Sequence, residues 1–264
     1  TTGTQNIAVG TDALDANTTG STNTALGDQA LSANTTASNN TAVGFNALNV
    51  NTTGTKCVAV GANALDASDA DDNTAVGYNA MTANTTGIRN AALGQSALGA
   101  NTTGTRNTAI GAQALDASST ASYNTAVGYG CLTETTTGEY NTAVGLSALL
   151  LNTTGQYNTA VGAYAMDASS TSNYNTAVGY QALTANTSGD ELVAIGNEAL
   201  ATNTTGTQNT AVGYRALKAN NGSSNTAVGE SALVSNTTGN NNVAIGRDCL
   251  DANTTGTGNV ALGV

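Results

Sequence analysis

The chain has 264 residues with 31 Gly, a single Phe and no Pro, Trp or His, and only 9% of it is charged. Bulky groups for a globular core are scarce, and without His neither a Ser-His-Asp nor a Cys-His arrangement can be assembled, so we expect no enzyme. The net charge of −11, from 17 acids against 6 Lys and Arg, argues against nucleic acid, whose affinity rests on basic side chains neutralising phosphates.

No apolar run approaches the roughly 20 residues of a membrane helix, so no membrane insertion is expected in this segment. The chain opens on Thr1-Thr2-Gly3, inside a spacer, and stops one residue after the last signature. Neither end resembles the atypical capping repeat of a solenoid. We expect residues 1–264 to form a single continuous array, a segment of a longer fibre protein.

Taken in order, the chain says one thing many times. Ala-[Val/Leu/Ile]-Gly closes at Gly10, Gly27, Gly44 and onward to Gly263, sixteen copies at a spacing of 17. The spacing shortens to 16 twice, between Gly61 and Gly77 and between Gly213 and Gly229. Self-similarity at a fixed period marks a repeat architecture. Asn141 to Tyr157 serve as positions 1 to 17 of the unit.

Position 4 is Val, Leu or Ile in all sixteen copies, and position 9 is Leu or Met in all fifteen complete spacers. Position 2 is Thr, Val or Ile everywhere except Ala91. Seventeen residues are too few for two packed helices, and Asn, Thr and Gly are poor helix formers. They suffice for one coil of an all-β, parallel β-solenoid (a β-roll) with about sixteen coils, roughly 75 Å long at 4.8 Å per layer. The expected coil has a strand at positions 1–5, a corner at 6–7, a second short strand near 8–11 and a return turn at 12–17. Asn-Thr-Thr-Gly in most return turns is turn chemistry, and both deletions fall there, where length change is tolerated.

Alternation along a strand puts positions 2 and 4 on one face and 3 and 5 on the other. Branched residues would then point inward, making Val127, Leu132, Val144, Leu149, Val161 and Met166 coil core. Ala126, Gly128, Ala143, Gly145, Ala160 and Gly162 would form a bare outer face that another backbone can approach closely, which favours a homo-oligomer. Asn at position 1, in fourteen of sixteen coils, predicts an axial ladder of side-chain amides.

Tyr123, Tyr140, Tyr157 and Tyr174 share position 17 in four successive coils. They read either as a stabilising aromatic ladder or as a surface platform for sugar rings or another protein. Thr18, Thr35, Thr52, Thr85 and Thr102 make a Thr column at position 13 that raises an ice-binding reading. Against it, these Thr lie in a turn and every third coil interrupts the column. The densest acidic spot, Asp66, Asp69, Asp71 and Asp72, has oxygen ligands of the kind Ca²⁺ takes, but a solvated turn accounts for it, and no cofactor is expected. Cys57, Cys131 and Cys249 read as small hydrophobes. Asn-x-Thr sequons such as Asn17, Asn51 and Asn84 read as turn chemistry. A slower three-coil period, in the spacers after Gly61, Gly111, Gly162 and Gly213 and in Tyr78, Tyr129 and Tyr180, fits either duplication of a larger unit or a periodic lateral contact.

The Asn-Thr-Ala-Val-Gly-x-x-Ala-Leu unit, with Asn242-Val243-Ala244-Ile245-Gly246 and Leu192-Val193-Ala194-Ile195-Gly196 as its nearest copies, resembles the repeat of YadA-like head domains in trimeric autotransporter adhesins. It is also similar to repeats of bacteriophage tail fibres and of large secreted bacterial proteins that end in an intramolecular chaperone domain. The resemblance implies a left-handed β-roll, three chains around one axis, and a role in attachment. It also implies an extracellular, cell-surface or virion location and a host-cell or surface receptor, with a glycan as one candidate. The period is longer here than in the adhesin heads.

Overall fold

The computed structural model describes residues 2–264. It holds sixteen strands of three residues, each occupying positions 2–4 of a repeat. The chain divides into two compact units, one ending at Thr137 and one spanning Gly138–Val264. The first contains β1 (Ile7–Val9) to β8 (Thr125–Val127), the second β9 (Thr142–Val144) to β16 (Val260–Leu262). Within each unit every strand pairs in parallel with the next at the equivalent position, as Thr142, Ala143 and Val144 do with Thr159, Ala160 and Val161. This is a parallel β-solenoid repeat protein.

The bonds between coils continue past the strands. Leu149 N–H donates to Ala165 O at 3.0 Å, Leu151 N–H to Asp167 O at 3.0 Å, and Thr153 N–H to Ser170 O at 2.9 Å. The expected second strand at positions 8–11 is not formed. Positions 7 and 9 lie in the left-handed region, at φ 52° for Ser147 and 51° for Leu149, and two such residues one apart turn the chain continuously. Left-handed Leu or Met is disfavoured by its Cβ, at roughly 1–2 kcal/mol per residue, and burial of the side chain offsets that. Leu132, Leu149 and Met166 are fully enclosed.

The inward and outward faces of the strand are the reverse of the sequence expectation. Ala126, Ala143 and Ala160 are completely buried, while Val127 is half-buried and Val144 and Val161 are 36% and 37% exposed. The reason is volume. The coil interior already holds the position-9 Leu, the position-8 Ala and two columns of Asn, and at interior packing density a methyl is what remains room for at position 3. Gly128, Gly145 and Gly162 do not offer a bare face to another chain either. Gly145 has φ 135°, and a Cβ there would lie 2.6 Å from the carbonyl of Gly162, as one on Gly111 would lie 2.3 Å from that of Gly128, so within each unit these glycines stack on one another.

Candidate interaction surfaces

Two buried amide columns fix how the coils stack. At position 1, each Asn accepts through Oδ1 from the backbone N–H of the next position-1 residue and donates through Nδ2 to the position-15 carbonyl of its own coil. Asn158 N–H to Asn141 Oδ1 is 3.0 Å, and Asn141 Nδ2 to Gly155 O is 2.8 Å. Direct amide-to-amide bonds occur as well, as from Asn259 to Asn242 at 3.0 Å. The expected ladder is therefore present, bonded mainly through backbone.

Position 12 carries a second column that the turn reading hid. Where Asn follows Asn, the amide commonly donates to the Oδ1 of the previous one and to the carbonyl three residues on, as Asn101 does to Asn84 at 2.8 Å and to Gly104 at 3.2 Å. At Gly104 the amide lies close against the backbone, where a Cβ would fall 2.3 Å from Asn101 Oδ1, whereas Asn34 sits beside a position-15 methyl, Ala37. The sequon residues Asn51 and Asn84 belong to this column, buried and bonded to Gly54 and Gly87. The return turn is thus half of the core.

The outward strand face is the main surface in each unit. Positions 2 and 4 present Thr, Val, Ile and Leu without a single charge. Val144, Val161, Val178, Ile195, Val228 and Ile245 are all exposed. Continuous apolar strips of this kind mark interaction surfaces more often than isolated hydrophobic residues do. In the first unit the strip is notched: Ala91, the one position-2 residue that is not Thr, Val or Ile, opens a hollow of about 290 Å³ lined by Thr74, Val76, Leu93 and Ile110. A sequence signal for the strip existed, the invariance of position 4, but alternation alone does not say which face is outside.

The position-17 tyrosines are exposed, and each lies at φ 58° to 61°, a bend that throws the side chain outward. In the second unit Tyr140, Tyr157 and Tyr174 stack with centroids 5.0 and 5.2 Å apart and planes within 2°. The ring faces turned towards one another in this stack are covered. In the first unit the Arg106 guanidinium lies 5.3 Å from the Tyr123 ring centroid and donates to its hydroxyl.

The acidic spot is spent on backbone. Asp69 Oδ1 accepts from Thr52, Thr53 and Gly54 N–H at 2.8, 2.6 and 3.1 Å, and Asp71 Oδ1 from Thr55 N–H at 2.7 Å. Asp72 faces Arg89 at 3.8 Å, and partial burial raises the Asp66 carboxyl above its ordinary value. Among the described residues no group of three or more His, Cys, Asp and Glu is placed to hold a metal ion.

The Thr hydroxyls at position 13 donate to the next coil, Thr18 to Thr35 O at 3.0 Å and Thr102 to Ser119 O at 2.9 Å. The cysteines are buried. Cys57 takes over the bond of the Asn it replaces, donating to Ala70 O at 3.1 Å, and burial pushes its thiol up to about 11. No helix among the described residues is long and apolar enough to cross a membrane. No protein-family model matches the sequence, and no curated protein matches it.

Proposed function

We propose that this chain is a structural repeat region of an extracellular fibre or adhesin that extends from a bacterial surface and mediates attachment. The observation that supports this reading best is the uniform bonding of one coil to the next around a core of Ala, Leu and Asn. It lets stability grow by nearest-neighbour contacts as coils are added. The resemblance to adhesin-head repeats points the same way, and the shaft of a bacteriophage tail fibre is the alternative. We read the chain as non-enzymatic and without a cofactor. Ice binding is the weakest reading, because the Thr hydroxyls of its column already donate to neighbouring coils. A thermal-hysteresis assay with no activity ends it.

The strand-face correction moves the oligomer contact. A homo-oligomer, with a trimer favoured, would close through the uncharged Thr/Val strip, since burying it removes apolar area from water. Mass in solution tests this. Three chains per particle, falling to one in a Val144→Glu, Val178→Glu variant that keeps its β circular dichroism, is the expected result. A wild-type monomer removes the oligomer.

For receptor contact, hydroxyl-bearing tyrosine edges are the candidate, offered to a surface receptor or glycan. Beads coated with the chain should adhere to target cells. Replacing Tyr140 and Tyr157 by Ala should abolish adhesion while leaving the fold intact. Lost folding with unchanged adhesion would remove the receptor role.

A further inference from the structure

The position-12 column leaves specific atoms unpaired. Where two Asn follow one another, the second Nδ2 donates to the Oδ1 behind it in most coils, with Asn203, left unpaired before Asn220, as an exception. A Ser in the next coil has no amide to supply that donor. Asn51, Asn101 and Asn152 are followed by Ser68, Ser118 and Ser169. All three Oδ1 atoms are buried without a partner, and so is the Ser118 hydroxyl. A buried polar atom left unpaired is destabilising, and interior water commonly relieves such sites by making about three hydrogen bonds.

We infer that an ordered water molecule is bound beside Ser118, in the place an Asn amide nitrogen takes in other coils. That nitrogen makes two donor bonds, to the preceding Oδ1 and to the position-15 carbonyl, as Asn101 shows with Asn84 and Gly104. A water there donates to Asn101 Oδ1 and to Ala121 O and accepts from the Ser118 hydroxyl. Ala121 O takes one donor, Asn107 Nδ2 at 2.8 Å, whereas the equivalent Gly20 O takes two, from Asn6 and Asn17. The carbonyl therefore has the capacity for a second. Ser plus water thus reproduces the two donor bonds of the Asn amide.

Asn51 and Asn152 also precede a Ser, but those hydroxyls are already bonded, Ser68 Oγ accepting from Asn84 Nδ2 at 3.1 Å and Ser169 pairing with the Ser172 hydroxyl, so the water is assigned at Ser118 alone.

A high-resolution crystal structure of the whole chain tests this. Density for a water at about 2.7–3.2 Å from Asn101 Oδ1, Ser118 Oγ and Ala121 O is expected. A direct bond from Ser118 to Asn101 or Ala121, with no water density, overturns the proposal. Ser118→Asn gives the second arm, and Asn34 beside Ala37 shows that an Asn is accommodated next to a position-15 methyl (Asn34 Nδ2 to Ala37 O, 3.2 Å). The count of long-lived internal waters by ¹⁷O relaxation dispersion should fall by one in that variant. An unchanged count overturns the assignment. If the variant fails to fold, the wild-type density decides alone.

Discussion

The two shortened coils, 57–72 in the first unit and 209–224 in the second, solve one problem with different chemistry. In a full coil the N–H groups of positions 13, 14 and 15 converge on the position-13 carbonyl of the next coil, as Thr18, Thr19 and Gly20 do on Thr35 O at 2.9, 3.1 and 3.4 Å. Deleting a residue removes that carbonyl. In one coil Asp69 Oδ1 replaces it. In the other, Asn221 Oδ1 takes Thr204, Thr205 and Gly206 N–H at 3.1, 3.0 and 3.2 Å. Two residues further on, Asp71 Oδ1 and Ser223 Oγ accept from Thr55 and Thr207 in the same way. What the solenoid conserves is the place of an acceptor. The first coil fills it with charge, using Asp69, Asp71 and Asp72 beside Cys57, and the second with the neutral Asn221, Ser223, Ser224 and Asn209.

The largest effect should come from removing the surrogate. Asp69→Ala and Asn221→Ala each strand three N–H groups, and a loss of about 1–3 kcal/mol per site is expected. It is read as a lower thermal midpoint and as faster hydrogen exchange at amides 52–54 in one variant and 204–206 in the other. Unchanged exchange at those amides would mean the side-chain carbonyl is incidental.

Charge separates the coils under acid. The Asp69 carboxyl is partly desolvated, which raises its pKa, but the N–H groups of Thr53, Thr52 and Gly54 and the Thr52 hydroxyl outweigh this and hold it below the ordinary 3.8. A folded-state pKa below the unfolded one gives stability that is present above the unfolded value and lost as pH falls through the folded one. Protection of amides 52–54 should therefore decline below about pH 4, while amides 204–206 hold theirs. Asp66, raised by burial, opposes this, so Asp69→Asn is the control. That variant should be nearly neutral at pH 7 and remove the acid loss. An acid response that survives it assigns the effect elsewhere.

Alkali gives a smaller contrast. With the Cys57 thiol pushed from 9.0 up to about 11, its contribution is intact below pH 9 and lost as pH rises towards 11. The coil 209–224, with Asn209 in that place, has no such group. Thermal midpoints of wild type and Cys57→Asn should diverge only above pH 9, with the variant the flatter. Parallel curves would place the titrating group elsewhere.

These coils also show how far the sequence could be read. The period, the turn location of both deletions, the burial of Leu149 and Met166 and the position-1 Asn column are all legible, because each leaves an invariant or periodic residue. Which strand face is inside is not legible. Alternation places Thr142 with Val144 and Ala143 with Gly145, but the space left by Leu149 and two amide columns decides that Ala143 goes in. The second strand failed because Leu149 is left-handed, a conformation no propensity predicts for Leu. The Tyr140–Tyr157–Tyr174 stack was readable as a column, whereas its closed ring faces required the 5.0 Å spacing. The carbonyl role of Asp69 was hidden because an acid in a turn already has an ordinary explanation.

The smallest effect is the most discriminating. Replacing Asp69 by Thr-Thr restores a 17-residue coil with a backbone carbonyl at position 13. If acceptor position is all that matters, the change should stay within about 0.5 kcal/mol, the usual range for surface substitutions. It should also abolish the acid response of amides 52–54, because a backbone carbonyl does not titrate. A gain well above that range would show that the shortened coil carries strain which Asp69 only partly relieves. A comparable loss would show that neighbouring coils have adapted to sixteen residues, with Ser68 and Ala70 as the first positions to revert. Inserting one Thr before Asn221 asks the same of the neutral coil. Equal, near-zero responses from both would establish that charge and neutral amide are interchangeable at this site.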